Sequence, residues 1–150
     1  MPHSYVSNLI HYIFSTKERY PFIEPELESR LWPYMGGIAK ENGMKALAVG
    51  GTNDHAHALI SLPATMSVAK AVQLIKGGSS KWVHDRLPKY RKFEWQDGYG
   101  AFSVSASQMK SVIRYIGSQK EHHRKKTFEE EFLEFLDKYG VDYDRRYVFR

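Results

Sequence analysis

The chain has 150 residues, 42% of them hydrophobic, and a net charge of +5, which suits one domain, residues 1–150, with one sizeable core. Without cysteine it can build neither a disulfide framework nor a thiolate zinc site, and apolar runs such as 56–62 are too short to span a bilayer. Residues 1–69 carry 5 basic and 6 acidic side chains, residues 70–126 carry 13 and 4, and residues 127–150 carry 4 and 7, so the positive charge sits in the middle, where it can neutralise a phosphate backbone.

Met1-Pro2-His3-Ser4 lacks the basic and apolar segments of a signal peptide, and with the missing cysteines this predicts a cytoplasmic protein. Residues 4–14, rich in β-branched and aromatic types, read as a strand. Glu24–Glu41 reads as a helix with apolar positions Leu27, Leu31, Tyr34, Met35 and Ile38. Asn42-Gly43 ends it, and Pro33 should kink or divide it. Met44–Val49 and His55–Leu62 are strands joined by Gly50-Gly51-Thr52-Asn53-Asp54, a glycine-bearing hairpin loop closed by Pro63. Along the second strand, Ala56, Ala58, Ile60 and Leu62 share one face and His55, His57, Leu59 and Ser61 the other.

Ser67 can cap a helix running to about Leu87. Gly77-Gly78-Ser79-Ser80 in its middle predicts either a break or a close approach of the backbone to a neighbour. Pro88–Gly100 is a basic, aromatic loop, and Ala101–Ser105 a short strand. Ser107 opens the helix that carries Tyr115 and Gln119. Thr127 caps a last helix, with Glu130 at the capping-box position, and Gly140 ends it. This order predicts an α+β, ferredoxin-like (RRM-like) antiparallel sheet, helices on one face and the histidines on the other.

His55 and His57, two apart on a strand, point to one face roughly 7 Å apart and can converge on one metal ion. The Asn53-Asp54 turn before them adds little. Tyr115 and Gln119 are neighbours one helical turn apart. The apolar stripe of that helix is Met109, Val112, Ile113 and Ile116, which leaves Tyr115 at its border roughly 110° away and Gln119 roughly 70° away. Arg114 and Lys120 flank the tyrosine and can lower its pKa or hold a phosphate. His122-His123 could serve as further metal ligands, but followed by Arg124-Lys125-Lys126 they read instead as a cationic helix end, with phosphate contacts or simple solvation. Lys76, Lys81, Trp82, Arg86, Lys89, Arg91, Lys92 and Trp95 interleave charge and rings as single-strand binders do. Trp82 reads as core and Trp95, in the loop, as the stacking ring.

Taken together, Asp54-His55-Ala56-His57-Ala58-Leu59-Ile60-Ser61, the stretch Gln73 to Trp82, Trp95 to Ser105, Tyr115-Ile116 with Gln119 and Glu121-His122-His123, and the ending Thr127 to Asp144 resemble the small single-tyrosine HUH transposases of insertion sequences that move as single-stranded DNA. The resemblance runs from about Tyr5 to Tyr147. Ala56 departs from the bulkier residue usual between the histidines, which bears on packing. The resemblance implies Tyr115 as nucleophile, with His55, His57 and Gln119 holding magnesium, for which manganese can substitute. It also implies a 5′-phosphotyrosine intermediate on single-stranded DNA with hairpins at element ends, in a prokaryotic cytoplasm. It further implies a homodimer with a merged sheet whose tyrosine helix completes the partner's site. A domain this small is expected not to fold that helix easily onto its own histidines, and Gly117 is expected to permit close packing or adjustment of the helix. The competing readings are a non-catalytic, domesticated or REP-type hairpin-binding relative, and a metal nuclease using water instead of Tyr115.

Overall fold

Strand β1 (Leu9–Ser15) leads into helix α1 (Pro25–Glu41), strands β2 (Lys45–Gly51) and β3 (His55–Ser61), helix α2 (Val68–Arg86) and strand β4 (Gly100–Val104). Three shorter helices follow: α3 (Met109–Gly117), α4 (Gln119–His122) and α5 (Phe128–Lys138). The structure, a computed structural model, describes residues 4–123 and 125–149. The expectations placed on Met1–His3 and on Arg124 lie outside these residues.

The strands form one antiparallel sheet in the order β2-β3-β1-β4. With α1 and α2 as its crossovers this is the expected ferredoxin-like arrangement. The strand expected from residue 4 begins at Leu9, because the last ladder contact is the Leu62 N–H donating to the Asn8 carbonyl.

Helix α1 starts with Pro25 at its first turn and runs unbroken through Pro33, against the expected kink. Pro33 is exposed, while Leu27, Leu31, Met35 and Ala39 are buried on the other side and hold the helix to the sheet. Helix α2 is likewise continuous across Gly77-Gly78. The close approach is the alternative realised: a Cβ on Gly78 would lie 2.9 Å from the Ile38 side chain of α1.

The period of two along β1 and β3 sorts their side chains. Ile10, Tyr12 and Phe14 join Ala56, Ala58 and Ile60 in the core under α1 and α2. The opposite face was expected to carry no helices, but α3 and α5 cover it. Ile116 of α3 packs on Leu9 and Leu59, with Met109, Val112 and Ile113 beside it. Phe128, Phe132 and Leu136 of α5 pack on Ile13 and Phe102. The reason is apolar area: Leu9, Ile13, Leu59 and Phe102 point to that face, and leaving them wet would forfeit roughly 1.5–3 kcal/mol each. Thr127 caps α5 through the complete capping box with Glu130, as expected.

Candidate active site

His55 and His57 of β3 lie on the α3/α5 face and are fully buried. Each ring is held at Nδ1 by an outer partner. His55 Nδ1 is 2.8 Å from Asp54 Oδ1 and 2.9 Å from Thr52 Oγ1. His57 Nδ1 is 2.8 Å from Nε2 of His11, which β1 places on the same face. Asp54 therefore matters more than the turn reading allowed. A carboxylate behind an imidazole fixes its tautomer and orientation, and this leaves Nε2 facing inward.

Tyr115 and Gln119 were expected on one helix. The backbone instead breaks at Ser118, between α3 and α4. The pair still meets: the Gln119 amide donates to the Tyr115 carbonyl at 3.2 Å, and its Oε1 lies 3.2 Å from His55 Nε2. Gln119 is 2% exposed. Gly117 has no atom within 4 Å of where a Cβ would sit, so its place is at the break and not at a tight contact. The close glycine is Gly50 of β2, whose Cβ would lie 2.9 Å from the Ile116 carbonyl oxygen. There α3 presses on its own sheet, and the expectation that this helix could not reach its own histidines is corrected. The Tyr115 ring is 5.8 Å from the His57 ring and 6.3 Å from His11.

His11 and Glu131 escaped the sequence reading, and His123 was set aside in it. Glu131 of α5 is 3% exposed. Its Oε1 lies 3.1 Å from His57 Nε2, 3.2 Å from His123 Nε2 and 3.7 Å from His55 Nε2, and its Oε2 accepts a hydrogen bond from the Tyr115 hydroxyl. His123, expected at a solvated helix end, turns inward instead, with Nδ1 2.7 Å from the Lys126 carbonyl. The ligand atoms of His55, His57, His123 and Glu131 all lie within 4.8 Å of one another. The available signal was Glu131 falling on the apolar side of α5 with Phe128 and Phe132.

The charges follow from these contacts. Burial alone would raise the Glu131 carboxyl, but hydrogen bonds from His123, His57 and Tyr115 hold it well below the usual carboxylate range. Burial lowers His57 to about 4, against the pull of Glu131, and His11 to about 3. Burial would lower His123 too, yet its hydrogen bond to Glu131 carries it upward. Burial, then the Glu131 carboxylate, raises the Tyr115 hydroxyl above its ordinary value, against the lowering expected from Arg114 and Lys120. Before any ligand arrives, the site is an anionic carboxylate beside neutral His11 and His57 rings and a protonated phenol. Two inward imidazole nitrogens, a carboxamide oxygen and a carboxylate form a donor set that suits a divalent cation.

The nucleic-acid candidates fall in several places. Trp95, expected to stack on bases, is 5% exposed and packed between Phe14 and Phe93 at ring distances of 4.8 Å, with its indole N–H donating to Ser79. It is a core residue, because its backbone bridges to Thr16 beyond the end of β1. Trp82, expected in the core, is half-buried and stacks on exposed Tyr34 at 4.3 Å, under Arg30. Lys76 turns inward onto the carbonyls of Gln96, Asp97 and Gly98, and burial lowers its ammonium to about 8. Lys81 and Arg86 are exposed on α2, Arg91 and Lys92 on the following turn, and Arg114 and Lys120 near Tyr115. Lys81 pairs with Asp85 and Lys120 with Glu28. Only Arg114 and Lys120 lie on the helices that carry Tyr115 and Gln119.

No helix among the described residues is long and apolar enough to cross a membrane. No curated protein matches the chain. Among solved structures, a Deinococcus radiodurans R1 protein described as a transposase is similar over 78% of this chain and 95% of its own, at 24% identity and a TM-score of 0.62. A REP-associated tyrosine transposase, solved bound to a REP hairpin, is similar over 81% of this chain and 72% of its own, at 13% identity and a TM-score of 0.60. Both likenesses are of fold. The sequence profile described as "Transposase IS200 like" matches residues 4–119, a span that holds His55, His57, Tyr115 and Gln119, and the chain belongs to that IS200-like transposase family.

Proposed function

We propose that this chain cleaves and rejoins single-stranded DNA at insertion-sequence ends through a covalent 5′-phosphotyrosine on Tyr115. The observation that carries the reading is half-buried Tyr115, whose ring lies 5.8 Å from that of His57 and whose hydroxyl bonds the Glu131 carboxylate that faces Nε2 of both His55 and His57. His55, His57 and Gln119 would hold a divalent cation, magnesium with manganese as substitute. When bound, that cation supplies positive charge to a non-bridging oxygen of the scissile phosphate.

The rest is done by the chain's own groups. The Tyr115 oxygen attacks phosphorus as its proton leaves. The new phosphotyrosine bond forms while the bond to the 3′ oxygen breaks, and that oxygen departs as a hydroxyl after taking up a proton. The bond energy stays in the adduct, so a second 3′-hydroxyl can reverse the step and join new ends. Exposed Arg114 and Lys120 are placed to take flanking phosphates. The ion pair of Lys120 with Glu28 is exposed and worth little, so a phosphate can replace it. Self-association would use β4, an edge strand of the sheet. A merged sheet there leaves Tyr115 over its own histidines.

The test is incubation with single-stranded DNA from the ends of the chain's own genomic locus, read on a denaturing gel. The native protein should form a covalent adduct. Tyr115→Phe should bind the same DNA and form none. Adduct at a comparable rate in the variant removes Tyr115 from its role, and cleavage without adduct points to a nuclease using water. Hairpin binding by the native chain with no chemistry gives the second reading, a binding relative, which the hairpin-bound structural relative favours.

A further inference from the structure

The geometry points to Glu131 of α5, joined by His123, as a ligand of the same cation and, through its other oxygen, as the residue that positions the Tyr115 hydroxyl. This inference rests on the metal reading above. Both residues lie beyond the 4–119 span that matches the family profile.

The ligand atoms converge. His123 Nδ1 sits 2.7 Å from the Lys126 carbonyl, which only accepts, so that nitrogen carries a hydrogen and Nε2 is the atom the ring turns inward, 3.2 Å from Glu131 Oε1. His55 repeats the pattern: its Nδ1 faces Asp54, and its Nε2 faces Gln119 Oε1 at 3.2 Å and Glu131 Oε1 at 3.7 Å. The Gln119 amide orientation is set by its donation to the Tyr115 carbonyl. Ligand atoms of His55, His57, His123 and Glu131 thus lie within 4.8 Å of one another in a buried setting, as the donors of one cation do. The spacing agrees: ligand bonds of about 2.0–2.2 Å at tetrahedral to octahedral angles separate ligand atoms by about 3–3.5 Å. Several imidazoles with one carboxylate suit a cation that accepts mixed nitrogen and oxygen donors, such as manganese.

The second oxygen of Glu131 accepts from the Tyr115 hydroxyl. One carboxylate therefore ties nucleophile and cation together at a set separation. A glutamine there has one acceptor oxygen and can serve only one of the two partners.

The experiment measures manganese binding by electron paramagnetic resonance and reads Tyr115 by fluorine NMR of a fluorotyrosine placed at that position. Glu131→Gln should weaken manganese at least about tenfold and shift the fluorine signal, and Glu131→Asp should recover part of both. Native affinity in Glu131→Gln overturns the ligand role. An unmoved fluorine signal overturns the positioning role. If His57→Ala also binds manganese as the native chain does, the metal reading itself falls. Should Glu131→Gln melt much lower than the native protein, anomalous scattering from manganese in crystals of the native chain decides, since a Glu131 oxygen is either bonded to the ion or not.

Discussion

The two faces of the sheet are built from the same strands and serve opposite ends. Under α1 and α2, β1 and β3 contribute Ile10, Tyr12, Phe14, Ala56, Ala58 and Ile60 to a continuous apolar core. On the other face they contribute His11, His55 and His57, and the apolar cover divides into two smaller clusters, under α3 and under α5, flanking the histidine group. A shift of one residue in register would exchange the two sets. Stability and chemistry are thus separated by the pleat, and the apolar face fixes the register that aims the histidines.

The comparison is tested first, and with the largest effect, on the histidine face. His57→Ala should lower adduct formation by about a thousandfold or more, as expected for losing several kcal/mol of charge stabilisation, and chelator should do the same to the native chain. Undiminished cleavage in excess chelator removes the metal role. Mixing His57→Ala with Tyr115→Phe under conditions where subunits exchange should return no activity, because Tyr115 lies over its own histidines. Restored adduct would show sites shared between chains.

Trp95 tests the other face. Trp95→Ala should destabilise the fold by about 3–5 kcal/mol in chemical denaturation while the folded fraction keeps its affinity for single-stranded DNA. Near-native stability with weakened binding would return Trp95 to a stacking role. The smallest effect concerns the cap of α5. Thr127→Ala should cost about 1 kcal/mol, with faster amide exchange in α5 and no change in α2. Equal acceleration in both helices would mean that α5 is not a separate cover over the site but part of one cooperative unit.

Much of this was legible beforehand because it is local. The alternation of β3, the stripe Met109-Val112-Ile113-Ile116 and the Thr127–Glu130 cap are one-dimensional patterns, and each stands in the structure where the pattern put it. The readings that failed depended on neighbours. Pro33 carries a local breaking signal that packing of α1 against α2 and the sheet overrides. Trp95 looks like a loop ring until its backbone is paired with Thr16.

The sequence by itself determined the order of elements, the face on which His55 and His57 lie and the family, since periodicity and motif are carried by nearby residues. Only the tertiary structure decided that α3 and α5 close over that face, that the chain breaks at Ser118, and that His11, His123 and Glu131 join the site. Glu131 lies 74 positions from His57 yet 3.1 Å away in space. What brings them together is the burial of Ile13, Phe102, Phe128 and Phe132 against one another, a driving force proportional to area and blind to distance along the chain.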